Sequence, residues 1–273
     1  MSATTTLASK DGTRLRMLRW DPQGEPIGKV LIVHGFAEHM GRYEHVAGAL
    51  TARGWTVFGL ELRGHGASEG ERGHILHWSD YADDVDAALA EIADPAFVLC
   101  HSMGGLVMSW HGIERQRPQI QGVVFTNPLM GTAFEPARLK VMAGRLLSKL
   151  APGVDLPGEV DPQNICRDPA VVDAYVNDPL VFTTMNARWA MEVLAAQRLI
   201  HERARDFKHP VLLLVSDGDK ICSAERSKAW LSQVGSPDSS LQEFGPLYHE
   251  LMNEPEKQQV LDSICDWLEA HRA

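Results

Sequence analysis

Five short runs of almost unbroken apolar residues constrain this chain most: "KVLIVH" (29–34), "WTVFGLE" (55–61), "FVLC" (97–100), "VVFT" (123–126) and "PVLLLVS" (210–216). A strand that is apolar at every position, not at alternate ones, must be covered on both faces. A mostly parallel sheet with helices packed on each side meets that demand. The segments between the runs have helical spacing. "RYEHVAGALTARG" predicts a helix ended by Gly54, "SDYADDVDAALAEIA" a helix with Ser79 as N-cap, and "QQVLDSICDWLEAH" a closing amphipathic helix. "TRLRMLRW" (13–20) alternates and suits an antiparallel edge strand, and a last strand is expected at 240–244. The fold class is α/β.

Between about Leu129 and Asp206 the alternation stops. "PARLKVMAGRLLSKLAP" and "ARWAMEVLAAQRLIHERA" read as helices joined by Pro-, Asp- and Gly-rich connections, with no strand of the core type. The organisation expected is an α/β core of residues 1–128 and 207–273 with a helical cap, 129–206, inserted above the sheet. Within the cap, Leu139, Val141, Met142, Leu146, Leu147 and Leu150 recur at helical spacing. They could pack on the sheet, line an acyl tunnel, or present an apolar face to lipid. Lys140, Arg145 and Lys149 interleave with them, which suits docking on an anionic interface and equally a solvated face.

The formal charge of −10, with no run of lysines or arginines, argues against a nucleic-acid partner. The first residues lack a basic start followed by an apolar stretch, and no run reaches the roughly 20 apolar residues of a membrane-spanning helix. Cys100, Cys166, Cys222 and Cys265 are scattered, without C-x-x-C spacing, so free thiols in a reducing, cytoplasmic compartment are expected. The many histidines include no H-E-x-x-H, and "GHGASEG" misplaces the third glycine of a dinucleotide loop. Neither metal nor cofactor is expected.

The chemistry centres on "CHSMGGL" (100–106), which follows the strand "FVLC". A serine hydroxyl attacks well only when an adjacent base takes its proton and a third group orients that base. On an open α/β sheet these groups should sit beyond strand C-termini, in the order serine, acid, histidine. Asp219 follows the strand 210–216 in "SDGDKI", and His249 follows the strand expected at 240–244. Asp217 competes with Asp219 but lies nearer the strand, where it could cap the turn. The oxyanion needs two N–H donors: the amide of Met103, at the start of the helix after the serine, and that of Phe36 in the "HGF" loop.

Taken together, "VHGFAEHMGRYEHVAGAL", "GLELRGHGASEGERGHI", "HSMGGL", "SDGDKI" and "YHELMNEP" resemble the monoacylglycerol lipase and lysophospholipase family of the α/β-hydrolase superfamily. The resemblance runs in order through nearly the whole chain. It implies Ser102 as nucleophile, Asp219 and His249 as its partners, and Phe36 and Met103 as oxyanion donors. It further implies that Glu38 and Arg42 organise the polar end of the substrate pocket. Three residues depart from the family pattern: Cys100 and Ala37 stand where glycine is usual, and Glu61 replaces aspartate. Cys100 is read as buried and inert, with a reactive thiol as the alternative.

The expected activity is cofactor-free hydrolysis of a single-chain acyl ester, a monoacylglycerol, through an acyl-enzyme. The expected partners are a lipid-like ester and, transiently, a membrane surface met through the cap. A lysophospholipase, a general carboxylesterase and a non-catalytic binding protein are the rival readings.

Overall fold

The computed structural model describes residues 2–134, 138–157 and 160–272. Its strands, in chain order, are β1 (Ala3–Ala8), β2 (Arg14–Trp20), β3 (Gly28–Val33), β4 (Trp55–Leu60), β5 (Ala96–His101), β6 (Ile120–Thr126), β7 (Asp155–Pro157), β8 (Thr184–Asn186), β9 (Val211–Val215) and β10 (Ser239–Glu243). Eight of them form one sheet in the order β1-β2-β4-β3-β5-β6-β9-β10. From β4 across to β10 every neighbouring pair is parallel, while β2 runs antiparallel to both β1 and β4.

The helices are α1 (Glu44–Ala52), α2 (Ser79–Ile92), α3 (Met103–Glu114), α4 (Arg138–Leu150), α5 (Pro169–Val176), α6 (Ala187–Glu202), α7 (Ala224–Leu231) and α8 (Lys257–Ala270). They explain why the core strands are apolar throughout. Along β9, Val211, Leu213 and Val215 face the layer that contains α2 and α3, whereas Leu212 and Leu214 face α1 and α8. The same division alternates along β3 and β5, so each strand feeds two cores separated by the sheet.

Three local expectations change. The segment at 13–20 is antiparallel but not an edge, because β1 pairs outside it. Threonine-rich β1 buries only Leu7 among its residues, so it carries no apolar pattern to read. Ser79 is the first helical residue and not the N-cap; the Asp80 carboxylate accepts the His77 amide at 3.0 Å. The stretch between β6 and β9 is not wholly helical, since β7 and β8 pair antiparallel within it. There α6 packs on α3 and α4 packs on α6, while α5 follows a tight turn capped by the Asp168 side chain.

Leu213 is fully buried at the centre of the parallel strands. Leu213→Ala should therefore cost about 3 kcal/mol in stability, by lost burial plus a cavity, read as a lower urea midpoint at unchanged slope.

Candidate active site

Ser102 sits on the sharp turn between β5 and α3, with φ 50° and ψ −115°. Two glycines permit that turn. A Cβ on Gly104 would strike the carbonyl oxygens of Val33 and His34, and one on Gly105 would strike the Pro128 ring. The helix can thus press against the ends of β3 and β6, which lifts Ser102 clear of the sheet edge. Cys100, two residues earlier, lies within β5, fully buried, and its Sγ donates to the Val124 carbonyl at 3.3 Å. Burial pushes its thiol well above the ordinary range. The strand accommodates the side chain without touching the turn geometry.

The loops after β9 and β10 meet Ser102 from the side. The Ser102 hydroxyl lies 2.9 Å from His249 Nε2, and His249 Nδ1 lies 2.7 Å from Asp219 Oδ2. Asp219 Oδ1 accepts the amides of Ile221 (2.8 Å) and Cys222 (3.0 Å), which fixes the carboxylate plane. Asp217 points away, with its carboxylate exposed toward Lys228. Burial opposes the imidazolium of His249, but the Asp219 carboxylate, assisted by Glu250 and Glu38, outweighs it and raises the histidine above its usual range.

Several residues that hold this arrangement were not singled out from sequence. Asn127, at φ 38°, donates through Nδ2 to the carbonyls of His249 (2.9 Å) and Tyr248 (3.2 Å), and its Oδ1 accepts the Ser216 amide at 3.0 Å. One side chain at the end of β6 therefore ties the acid loop to the histidine loop. Cys222 Sγ lies 3.9 Å from the Ser102 hydroxyl, buried, and its thiol is pushed well up by burial and by Asp219. Asp219, Cys222 and His249 form a compact set of potential metal donors among the described residues. Both ring nitrogens of His249 are already engaged, by Asp219 and by Ser102, so the set is arranged for proton transfer.

The loop after β3 carries Gly35, Phe36, Ala37 and Glu38. Ala37 holds φ 63°, a left-handed position where glycine would be at ease. The Glu38 carboxylate folds back to accept the Gly35 amide (2.6 Å) and the Tyr43 hydroxyl (2.8 Å). The Phe36 ring packs on Trp189 of α6, with centroids 4.1 Å apart, and meets Phe182 edge-on. The Met103 amide opens α3, where an N–H has no intrahelical partner. His34 is satisfied structurally, between the Gly35 carbonyl and the Leu62 amide. Arg63 and His65 belong to loop structure too, Arg63 being forked onto buried Asp84. Glu61 accepts the Ala67 amide at 2.7 Å and steadies the same loop.

Arg42 links the two loops that flank His249. Its Nη1 and Nη2 each reach a Glu250 oxygen at 2.7 Å, and Nη1 also reaches Glu38 Oε2 at 2.8 Å. The guanidinium lies over the Tyr175 ring, 4.8 Å from its centroid. Burial works against the Glu38 carboxylate, but Arg42 and the neighbouring histidines bring it down to about 2.

These groups open into a cavity of about 640 Å³, mouth included. Glu38, Arg42, His101, Tyr175 and Glu250 form a polar wall, and Phe36, Val160, Ile165, Phe182, Met185 and Ile221 an apolar one. Among the described residues none of the lining comes from α4, so of the three readings open for its apolar residues the tunnel wall is the one this lining does not include. Met142, Leu146 and Leu150 are 65 %, 61 % and 76 % exposed and point outward. Val141 and Leu147 are half-buried, and the side chains of Leu139 and Lys140 lie outside the described residues.

If neutral His249 is the working base, its raised pKa means that protonation sets in early as pH falls. The acid limb of kcat/KM should then have its midpoint above about 6.5, and Glu250→Gln should move it to lower pH. Asn127→Ala should lower kcat more than it changes KM and cost about 1–3 kcal/mol in thermal melts, because it strands buried amide and carbonyl groups.

A protein-family model described as Hydrolase_4, serine aminopeptidase, S33, matches residues 24–256. The chain is 33% identical over 272 residues to the monoacylglycerol lipase of Mycolicibacterium smegmatis, covering 97% of this chain and 96% of that one. It is 31% identical over 241 residues to phospholipase YtpA of Bacillus subtilis, covering 86% and 92%. The crystal structure of Paleococcus ferrophilus monoacylglycerol lipase superposes with a TM-score of 0.87 at 31% identity, covering 94% of this chain and 99% of that one. With its parallel sheet, its strained serine turn and these relatives, the chain belongs to the monoacylglycerol lipase family of the α/β-hydrolase superfamily.

Proposed function

We propose that the protein hydrolyses monoacylglycerols, with Ser102 as nucleophile, His249 as general base and acid, and Asp219 as the group that orients His249. The observation that carries this reading is the continuous relay from Asp219 through His249 to Ser102, opening into a cavity with one polar and one apolar wall. The relatives named monoacylglycerol lipase support it, and the carboxylic ester hydrolase class follows from them.

In this reading His249 Nε2 takes the Ser102 proton as Oγ attacks the ester carbonyl carbon. The Asp219 carboxylate holds the Nδ1–H tautomer and stabilises the imidazolium. The amides of Phe36 and Met103 hold the developing oxyanion, each contributing roughly 10² to 10³ in rate. His249 then returns the proton to the departing glycerol oxygen. Water, deprotonated by the same imidazole, releases the fatty acid from Ser102. The acyl chain lies along the apolar wall, and the glycerol faces Glu38, Arg42 and their neighbours.

Residues 129–206 act as a cap in this reading, with α4 touching the lipid aggregate that supplies substrate. Met142, Leu146 and Leu150 form one outward stripe at four-residue spacing, flanked by exposed Arg145 and Lys149. Val160 is both exposed and part of the cavity lining, so apolar surface is also present at the mouth. An anionic lipid surface matches that combination of apolar and basic side chains. Among the described residues no helix is long and apolar enough to cross a membrane.

With monomeric esters of rising chain length, each buried methylene contributes about 0.8 kcal/mol, so kcat/KM should climb roughly fourfold per methylene until the wall is covered. Initial rates on monoacylglycerols, a lysophosphatidylcholine and p-nitrophenyl acetate, with Ser102→Ala as blank, check this. A profile flat from acetyl to lauroyl would contradict the acyl site. For the surface, Leu146→Asp/Leu150→Asp should reduce co-sedimentation with phosphatidylglycerol vesicles at least about tenfold, while leaving rates on dissolved short-chain ester near wild type. Unchanged sedimentation would remove α4 from the interface.

A further inference from the structure

The polar wall of the cavity holds more negative than positive charge. Arg42 supplies one guanidinium, against the carboxylates of Glu38 and Glu250. His249, which faces both carboxylates, is raised but is paired with Asp219. Burial, and the neighbouring His249, bring His101 down to about 4, and burial keeps Tyr43 and Tyr175 in their neutral phenol forms. His45, behind the wall, is likewise lowered by burial. The end-on fork of Arg42 is taken: Nη1 and Nη2 each meet a Glu250 oxygen, Glu38 shares Nη1, and the Tyr175 ring covers one face of the guanidinium. Asn253 Nδ2 holds the Glu250 carboxylate at 2.7 Å, and the Glu250 amide donates to the Ile165 carbonyl at 2.8 Å, so the pair is fixed in place.

We infer that Glu250 is a specificity-determining residue: by occupying the Arg42 fork and leaving the wall net negative, it admits neutral polyol head groups and rejects anionic ones. This rests on the proposed ester hydrolysis and names which leaving groups that site accepts. A glycerol hydroxyl can donate to either carboxylate. A phosphate monoester in the same place finds the end-on guanidinium fork already taken by a carboxylate and meets like charge from Glu38 and Glu250. Without Glu250 the same Arg42 would turn from a neutralised strut into an anion receptor. Glu250 directly follows His249, so a single substitution tests the idea beside the reacting atoms.

The test compares 1-lauroylglycerol with its 3-phosphate, both below their aggregation concentrations, in the wild type, Glu250→Gln and Glu250→Asp. The wild type should favour the neutral ester by about 100-fold or more in kcat/KM, and Glu250→Asp should keep most of that preference. Glu250→Gln should shrink it at least about tenfold, through faster turnover of the phosphate. An unchanged ratio in Glu250→Gln, or equal losses on both esters, would overturn the assignment and leave Glu250 a positioning residue for His249. Should Glu250→Gln not fold, competitive inhibition of the wild type by dodecyl glyceryl ether and by its phosphate decides. Similar inhibition constants would overturn the inference, and a constant for the ether at least about tenfold lower would sustain it. Failure of the wild type to cleave 1-lauroylglycerol at all would instead count against the proposed function.

Discussion

Ser102 occupies backbone angles that cost an L-residue about 1–3 kcal/mol, and the surrounding structure is organised to hold it there. Its amide reaches the Thr126 carbonyl on β6, and its carbonyl accepts amides from Gly105 and Leu129. The strain persists because β5 is paired on both sides, by β3 and β6, while α3 is pinned against the ends of those strands by glycines. A looser sheet or a bulkier helix start would let the turn relax into an ordinary corner. The serine would then sink out of reach of His249.

The loops that meet this turn are themselves cross-tied. Asn127 fastens the acid and histidine loops to the end of β6, and Arg42 fastens the histidine loop to the loop after β3. The segment between β6 and β9 is tied in through the Phe36–Trp189 ring contact, through His39 and Asp178 at 2.8 Å, and through the hydrogen bond from Trp189 to Tyr81. Rigid strands place the loops, and these side-chain ties set the last ångström. The contacts of 2.7 Å between Asp219 and His249 and 2.9 Å between His249 and Ser102 depend on that precision.

Much of this was legible because it follows from strand ends. The apolar runs mark the parallel strands, and the residues just past them, Ser102, Asp219 and His249, do come into hydrogen-bond contact. Asp217 and Asp219 are distinguished in the structure by which side of the turn they face, which motif position anticipates but composition does not. Glu250 was illegible because its partner Arg42 lies 208 residues away, and nothing local marks a glutamate after a histidine as half of an ion pair. Asn127 works through a left-handed backbone that no periodicity reveals. Helical spacing in α4 identified an apolar face but not what it meets: between β6 and β9 the cavity lining comes from short loops and turns, from Tyr175 alone of α5 and from Met185 of the brief strand β8, too little chain to carry a period. The β7–β8 pair, three residues per strand, is too short to carry a pattern.

The central claim is that the hydroxyl on this strained turn is the attacking atom. Reaction with a fluorophosphonate, followed by intact mass and peptide mapping, tests it most directly, because the serine oxygen displaces fluoride and keeps the phosphonyl group. One adduct per chain, on the peptide containing Ser102, absent in Ser102→Ala and strongly slowed in His249→Ala, is the expected result. An adduct on another residue, or labelling that persists in Ser102→Ala, would contradict it.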